Sequence, residues 1–152
     1  KVKDEEKKLM DDMLETMYAA NGIGLAAIQI GVPKRIIVID ISKKENEKNP
    51  MFFVNPVIIK KNIEKATYEE GCLSVPNQFA EIDRPSKCEV EYLDYYGEKK
   101  ILKAEGLLAT CIQHEMDHLE GILFIDYLSK LKKTMIIKKL SKQKGKADRI
   151  VV

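Results

Sequence analysis

The stretch LLATCIQHEMDHLEG, residues 107–121, carries the only two histidines of the chain, His114 and His118. Leu107, Leu108, Cys111, Ile112 and Leu119 recur at helical spacing, so the segment reads as an α-helix that ends at Gly121. Its apolar face is broad, and the helix is expected to be buried on most sides. Residues four apart on a helix lie one above the other, which stacks His114 over His118. Two imidazoles so placed can grip one metal ion, and Glu115, directly after the first, projects beside them. This is the H-E-x-x-H arrangement, in which the carboxylate works on a metal-bound water. The plain alternative is a pair of histidines on an ordinary helix face.

A catalytic metal site usually has three protein ligands and one open position. Downstream of His118 the acids within reach are Glu120 and Asp126. Glu120 comes two residues after His118, roughly 200° around the helix, and should face away. Asp126 is near enough in the chain, but nothing marks it. The stronger third ligand lies upstream in EEGCLSVP, residues 69–76. There Gly71 lets the backbone approach another group closely, Pro76 limits further pairing, and the Cys72 thiolate is a good metal ligand. Read plainly, Cys72 is a small buried hydrophobe, a description that suits Cys88 and Cys111 better. A third stretch, GIGLAAIQIG at residues 22–31, sets two glycines in a run of small residues before Gln29. By itself it reads as a tight turn packed against a helix.

The remaining segments suggest how these stretches are held. Leu9, Met10, Met13, Leu14, Met17 and Tyr18 form an apolar stripe at helical spacing, and the helix should stop at Asn21-Gly22 with Gly22 as its cap. RIIVID, residues 35–40, is a buried strand. KKENEKN, residues 43–49, is a charged loop. FFVNPVIIK, residues 52–60, is a second strand that Pro56 confines in part to an edge or bulge. Residues 88–104 form a β-hairpin: Val90 and Tyr92 oppose Glu89 and Glu91, Tyr96-Gly97 turns, and Lys100-Ile101-Leu102 returns. Ser129 is placed to cap a last helix with Leu131, Met135 and Leu140 facing inward. Early strands, one central helix and a terminal helix indicate α+β, with antiparallel β-sheets packed around the central helix carrying H-E-x-x-H.

At 152 residues, the length suits a single domain over 1–152. With 45% hydrophobic and 33% charged residues, the chain is neither disordered nor membranous by composition. No apolar run approaches the ~20 residues of a membrane helix. Three cysteines, odd in number and widely spaced, argue against a disulfide framework and for a reducing compartment, hence the cytoplasm. A net charge of +2 implies no general attraction to DNA. Charge is uneven, however: Ser129 to Val152 carries nine Lys or Arg against one acid, Asp148. The start, KVKDEEKKLM, has no initiator Met and no signal-peptide pattern, so an organellar address stays open.

Taken together, GIGLAAIQ, EGCLS and QHEMDH closely resemble the three signature motifs of the peptide deformylase family, in that order and over essentially the whole chain. That family removes the N-formyl group from the initiator methionine of nascent peptides. The resemblance implies that Cys72, His114 and His118 bind the metal and that Glu115 is the general acid/base. Gln29 and the backbone N–H of Leu73 would stabilise the oxyanion. It implies ferrous iron, Fe(2+), as the ion, with Zn(2+), Ni(2+) or Co(2+) as substitutes. N-formyl-methionyl nascent peptides would lie extended along a strand-like edge near Ile23, Gly24 and Gly71. Leu107, Cys111 and Tyr68 are candidates for the methionine pocket, and Glu70 with Arg84 for an ion pair supporting the Cys72 loop. The basic segment near 129–152 is a solvated helix face or a ribosome-docking element. Family members usually carry more sequence before the first helix than this chain does.

Two other classes compete. A zincin-like peptidase would share the motif helix, but EGCLS and the lack of a marked downstream ligand oppose it. A non-catalytic metal- or RNA-binding protein would need neither Glu115 nor Gln29.

Overall fold

A computed structural model describes residues 1–42, 47–72 and 74–151, with side chains as far as Lys142. Helix α1 (Asp4–Ala19) opens the chain and is followed by strand β1 (Gly24–Ala26), a 3₁₀ turn (Ala27–Ile30), β2 (Ile36–Ile39) and β3 (Met51–Lys61). Strands β4 (Lys65–Cys72) and β5 (Val75–Pro85) form one hairpin, and β6 (Lys87–Leu93) and β7 (Lys99–Glu105) another. Helix α2 (Gly106–Leu119), a 3₁₀ turn (Phe124–Tyr127) and α3 (Lys130–Val151) complete the order. The strands make a five-stranded antiparallel sheet, β1-β2-β3-β6-β7, and a separate two-stranded sheet, β4-β5.

The unbroken apolar run of β2 has a simple cause. Ile37 and Ile39 pack with Phe53, Val90 and Tyr92 against Ala109, Cys111 and Ile112 of α2. Ile36 and Val38, pointing the opposite way, pack with Leu25 and Val54 against Met10, Met13 and Met17 of α1. The strand is covered on both faces, so alternation of side chains leaves no polar position. A third cluster joins Val75 and Ile82 of β5 to Phe124, Ile125 and Ile136. Helix α2 touches strands of both sheets, as expected for antiparallel sheets packed around the motif helix.

Several expectations hold in detail. Pro56 falls where the β3–β6 register shifts, between Val54 and Val57, beside Asn55 at φ 51°. Val90 pairs with Leu102 and Glu91 with Ile101, and the hairpin turns at Gly97 with φ 85°. Gly121 takes φ 75° just past α2, the left-handed conformation that a helix C-terminus favours. Ser129 Oγ accepts from the Lys132 N–H at 3.3 Å.

Others need correction. At the end of α1 it is Asn21, at φ 57°, that takes the left-handed turn, not Gly22, whose N–H instead bonds Met17 O at 2.9 Å. GIGLAAIQIG contributes strand β1 and a 3₁₀ turn, not merely a tight turn. In α3, Leu131 and Met135 are exposed, and Ile136 and Leu140 turn inward onto the third cluster. That face is held by β5 and the Phe124–Tyr127 turn, contacts that helical spacing alone does not locate. The β4–β5 hairpin had no sequence expectation of its own. Its inward positions include the charged Glu70 and Arg84, so no alternation of apolar residues marks it. Residues 43–46 of the charged loop lie outside the described residues.

Candidate metal centre and cleft

Helix α2 lays Leu107, Thr110, Cys111, His114, Glu115 and His118 along one stripe, the i, i+3, i+4 rows of a helix. The expected stacking follows: His114 Nε2 and His118 Nε2 are 3.3 Å apart. Cys72 arrives from the end of β4, where the β4–β5 register shifts after Gly71, and its Sγ lies 3.1 Å from His118 Nε2. The three donor atoms all fall within 4.8 Å of one another. Two nitrogens sharing one tetrahedral ion at ~2.0 Å would be about 3.3 Å apart, so the cluster has the span of a single cation.

Protonation supports that reading. Burial pushes the Cys72 thiol up, but hydrogen bonds with His114 and His118 outweigh it and bring the group down to about 5. Burial lowers His114, while its bonds to Cys72 and Glu70 raise it to about 10. Each of the two groups thus favours the charged form of the other, thiolate for Cys72 and protonated ring for His114. Glu115 is sealed. Its residue is 3% exposed, and Oε1 has no hydrogen-bond partner, standing 3.7 Å from His118 Nε2. Burial raises this carboxyl to about 7 against the pull of both histidines. A soft thiolate, two imidazoles whose Nε2 atoms converge with it and an orphaned carboxylate oxygen are the donor set of a divalent metal with a proton-handling neighbour.

A buried polar line fixes the first histidine. His114 Nδ1 is 2.8 Å from Glu70 Oε1. Glu70 in turn accepts from Arg84 Nε at 2.7 Å and from its NH2 at 3.0 Å. Arg84 NH1 donates to Asp117 Oδ2 at 2.7 Å, which also accepts from the Tyr127 hydroxyl at 2.6 Å. Desolvation lifts Glu70, yet His114 and Arg84 hold it below the usual carboxylate range. The expected Glu70–Arg84 pair is present, and it is buried rather than exposed, with side chains 5% and 4% accessible. A buried charge pair is tolerable only when fully bonded, as this one is.

Gln29 reaches the cluster from the 3₁₀ turn. Its Oε1 accepts from the Ala26 N–H at 2.8 Å, which aims Nε2 at Ser74 Oγ (2.9 Å) and Cys72 Sγ (3.4 Å). Ser74 adds a backbone N–H to Cys72 Sγ at 3.3 Å. Leu73, expected as the second oxyanion donor, lies outside the described residues.

Glu70, Cys72, His114 and Glu115 border a cleft of about 480 Å³. Ile23, Gly24, Gly71, Leu107 and Cys111 line it as expected. Tyr68 is not among its walls, and its hydroxyl lies near Gly106, 3.6 Å from where a Cβ would stand. Cys111, buried, has its thiol raised to about 12. Gly24 runs so close to Glu115 that a Cβ there would meet Oε2 at 2.7 Å. Sequence reading missed Thr110, Phe79 and Ser74. Thr110 was legible, four residues before His114 on the same stripe. Ser74 was legible too, two residues after Cys72 in the same stretch, whereas Phe79 enters only through the β4–β5 register. The other two acids stand apart: Asp126 pairs with Lys133 at 2.5 Å, and the exposed Glu120 with Arg35 at 3.2 Å.

A sequence profile described as polypeptide deformylase matches residues 1–134. The peptide deformylase of Pelagibacter ubique is 76% identical over 151 residues, 99% of this chain and 87% of the relative. That of Rhizobium meliloti is 57% identical over 136 residues, 90% of this chain and 78% of the relative. The crystal structure of peptide deformylase from Ehrlichia chaffeensis superposes with a TM-score of 0.91 at 44% identity, covering 97% of this chain and 87% of that one. Its complex with actinonin gives 0.89 at 47% identity, covering 94% and 86%.

Proposed function

The chain belongs to the polypeptide deformylase family, and from that membership we propose that it hydrolyses the N-terminal formamide of N-formyl-methionyl nascent peptides, releasing formate. The observation that carries this reading is the meeting of Cys72, His114 and His118 beside the sealed Glu115 at the cleft. Cys72 Sγ, His114 Nε2 and His118 Nε2 are the atoms assigned to one divalent ion. Such an ion supplies Lewis acidity, polarising the formyl carbonyl and lowering the pKa of water from 15.7 to about 7.

Glu115 moves the proton. Burial holds its carboxyl above the usual carboxylate range, and its unpartnered Oε1 is placed to accept a proton from the attacking water and return it to the departing amine. Gln29 Nε2, held by the Ala26 N–H, is positioned to donate to the formyl oxygen as negative charge builds there. We assign the second donor to the Leu73 N–H. Glu70 fixes the ring of His114, so that Nε2 is the nitrogen left for the ion.

The cleft supports an extended peptide. β1 is an edge of the larger sheet, and among the described residues β4 pairs only with β5. Gly24 of β1 and Glu69, Glu70 and Gly71 of β4 all line the cleft, with Ile23 beside them, so strand edges border the space. Backbone hydrogen bonds to such an edge tolerate many sequences, while a pocket for one side chain gives selectivity. The methionine side chain is assigned to the walls formed by Leu107 and Cys111.

One thiolate with two neutral imidazoles leaves a divalent site near +1, softer than an all-nitrogen one. We assign ferrous iron as the native ion, with zinc, nickel or cobalt as substitutes. All three cysteines are free, which accords with a cytoplasmic setting, and no helix among the described residues is long and apolar enough to cross a membrane. Exposed Lys130, Lys132, Lys138, Lys139 and Lys142 on α3 support docking to ribosomal RNA. Co-sedimentation with ribosomes should then fall steeply with salt and with charge reversal at Lys138, Lys139 and Lys142.

The deciding assay is anaerobic, with the metal identified in the same sample. Metal-loaded protein should release formate from formyl-Met-Ala and leave unformylated peptides intact. Endoproteolysis without formate would favour a peptidase and end this reading. Glu115→Ala should retain the metal while losing at least ~100-fold in turnover.

A further inference from the structure

Phe79 is 63% exposed, and it lines the cleft although it stands on β5, one strand away from the free edge of β4. Gly71 explains the reach. The two residues are paired directly across the hairpin, and a Cβ on residue 71 would lie 2.4 Å from Phe79 Cδ1 and Cε1. The ring therefore rests on the bare backbone of Gly71 and extends over β4 toward the cleft, a place that any side chain at 71 would deny it.

The faces of the hairpin say what the ring meets. Along β5, Gln78 and Ile82 are buried while Phe79 and Glu81 are exposed, so the ring belongs to the outward face. A peptide extended along the β4 edge alternates in the same way. If its methionine side chain turns inward to Leu107 and Cys111, the next side chain turns outward, to the face that carries the ring. Next along that face Glu69 and Glu81 stand opposite each other, both exposed, and add negative charge.

We propose that Phe79, leaning across Gly71, is a specificity-determining residue that packs against the side chain directly after the formylmethionine. It favours an aromatic or large apolar residue there over glycine, with an acid the least favoured. This rests on the deformylase reading and adds a second recognition element to it.

The test compares kcat/KM of metal-loaded enzyme on formyl-Met-Phe-Ala, formyl-Met-Gly-Ala and formyl-Met-Asp-Ala. Ring packing of this kind gives a preference for Phe over Gly of about three- to tenfold. Phe79→Ala should bring that ratio to within about twofold, and Phe79→Trp should keep it. A wild-type enzyme indifferent to the second residue, or a ratio that survives Phe79→Ala, would overturn the assignment. Formate from none of the three peptides would instead overturn the deformylase reading, and this assignment with it.

Discussion

Glu70 Oε1 lies 2.8 Å from His114 Nδ1, and both oxygens of the same carboxylate are bonded to Arg84. The ring of one proposed ligand is thus held by a carboxylate that is itself held by a buried guanidinium. Partners of this kind commonly contribute 10–100-fold in metal affinity. Glu70→Gln should weaken metal retention by about that factor in a chelator competition, with the fold preserved. Retention equal to wild type would remove Glu70 from the support of the site.

Arg84 tests the same line through stability. Removing it leaves Glu70 and Asp117 without their buried cation. Breaking a buried pair by deleting one partner costs about 3–5 kcal/mol. Arg84→Ala should lower the denaturation midpoint accordingly, whereas Arg35→Ala, whose partner Glu120 is exposed, should cost under ~1 kcal/mol.

Gln29 is held by the Ala26 N–H and directed at the cluster. Loss of one oxyanion donor costs about 10²–10³ in kcat. Gln29→Ala should show that loss with metal content unchanged. Full activity in the variant would assign the oxyanion to other donors.

The metal-free cluster has its own pH signature. Cys72 is depressed from 9.0 to about 5, so its contribution to stability is present above 9 and lost as pH falls through 5. His114 is raised from 6.5 to about 10, so its contribution is present below 6.5 and lost as pH rises through 10. Between about 5 and 10 the thiolate and imidazolium coexist. An incoming cation must displace the His114 proton, so metal affinity should rise with pH across that window. Alkylation at pH 7 should also label Cys72 in metal-free protein and spare the buried Cys88 and Cys111, whose thiols burial raises. Equal labelling of the three would contradict this picture.

Met13 provides a control away from the chemistry. It is fully buried between α1 and the sheet. Met13→Ala should destabilise by about 2–5 kcal/mol in denaturant unfolding. Metal affinity should stay at the wild-type level, because the cluster lies on the opposite side of the sheet with α2.

What the sequence alone determined is what travels in short periods along the chain. Helical spacing of Met10, Met13 and Met17 defines α1, two-residue alternation from Cys88 to Leu93 defines β6, and a four-residue step places His114 over His118. Local geometry suffices for these, since each rests on the repeat of a single element. Tertiary structure decided the rest. Cys72 and the histidines are more than forty positions apart, and their contact depends on how the β4–β5 hairpin docks on α2. That hairpin escaped the pattern because its inward side chains include Glu70 and Arg84, charges that are tolerable inside only because each meets the other. The inward face of α3 and the reach of Phe79 over Gly71 were hidden for the same reason: both depend on which neighbour lies across a strand or helix, and no spacing within one segment encodes that.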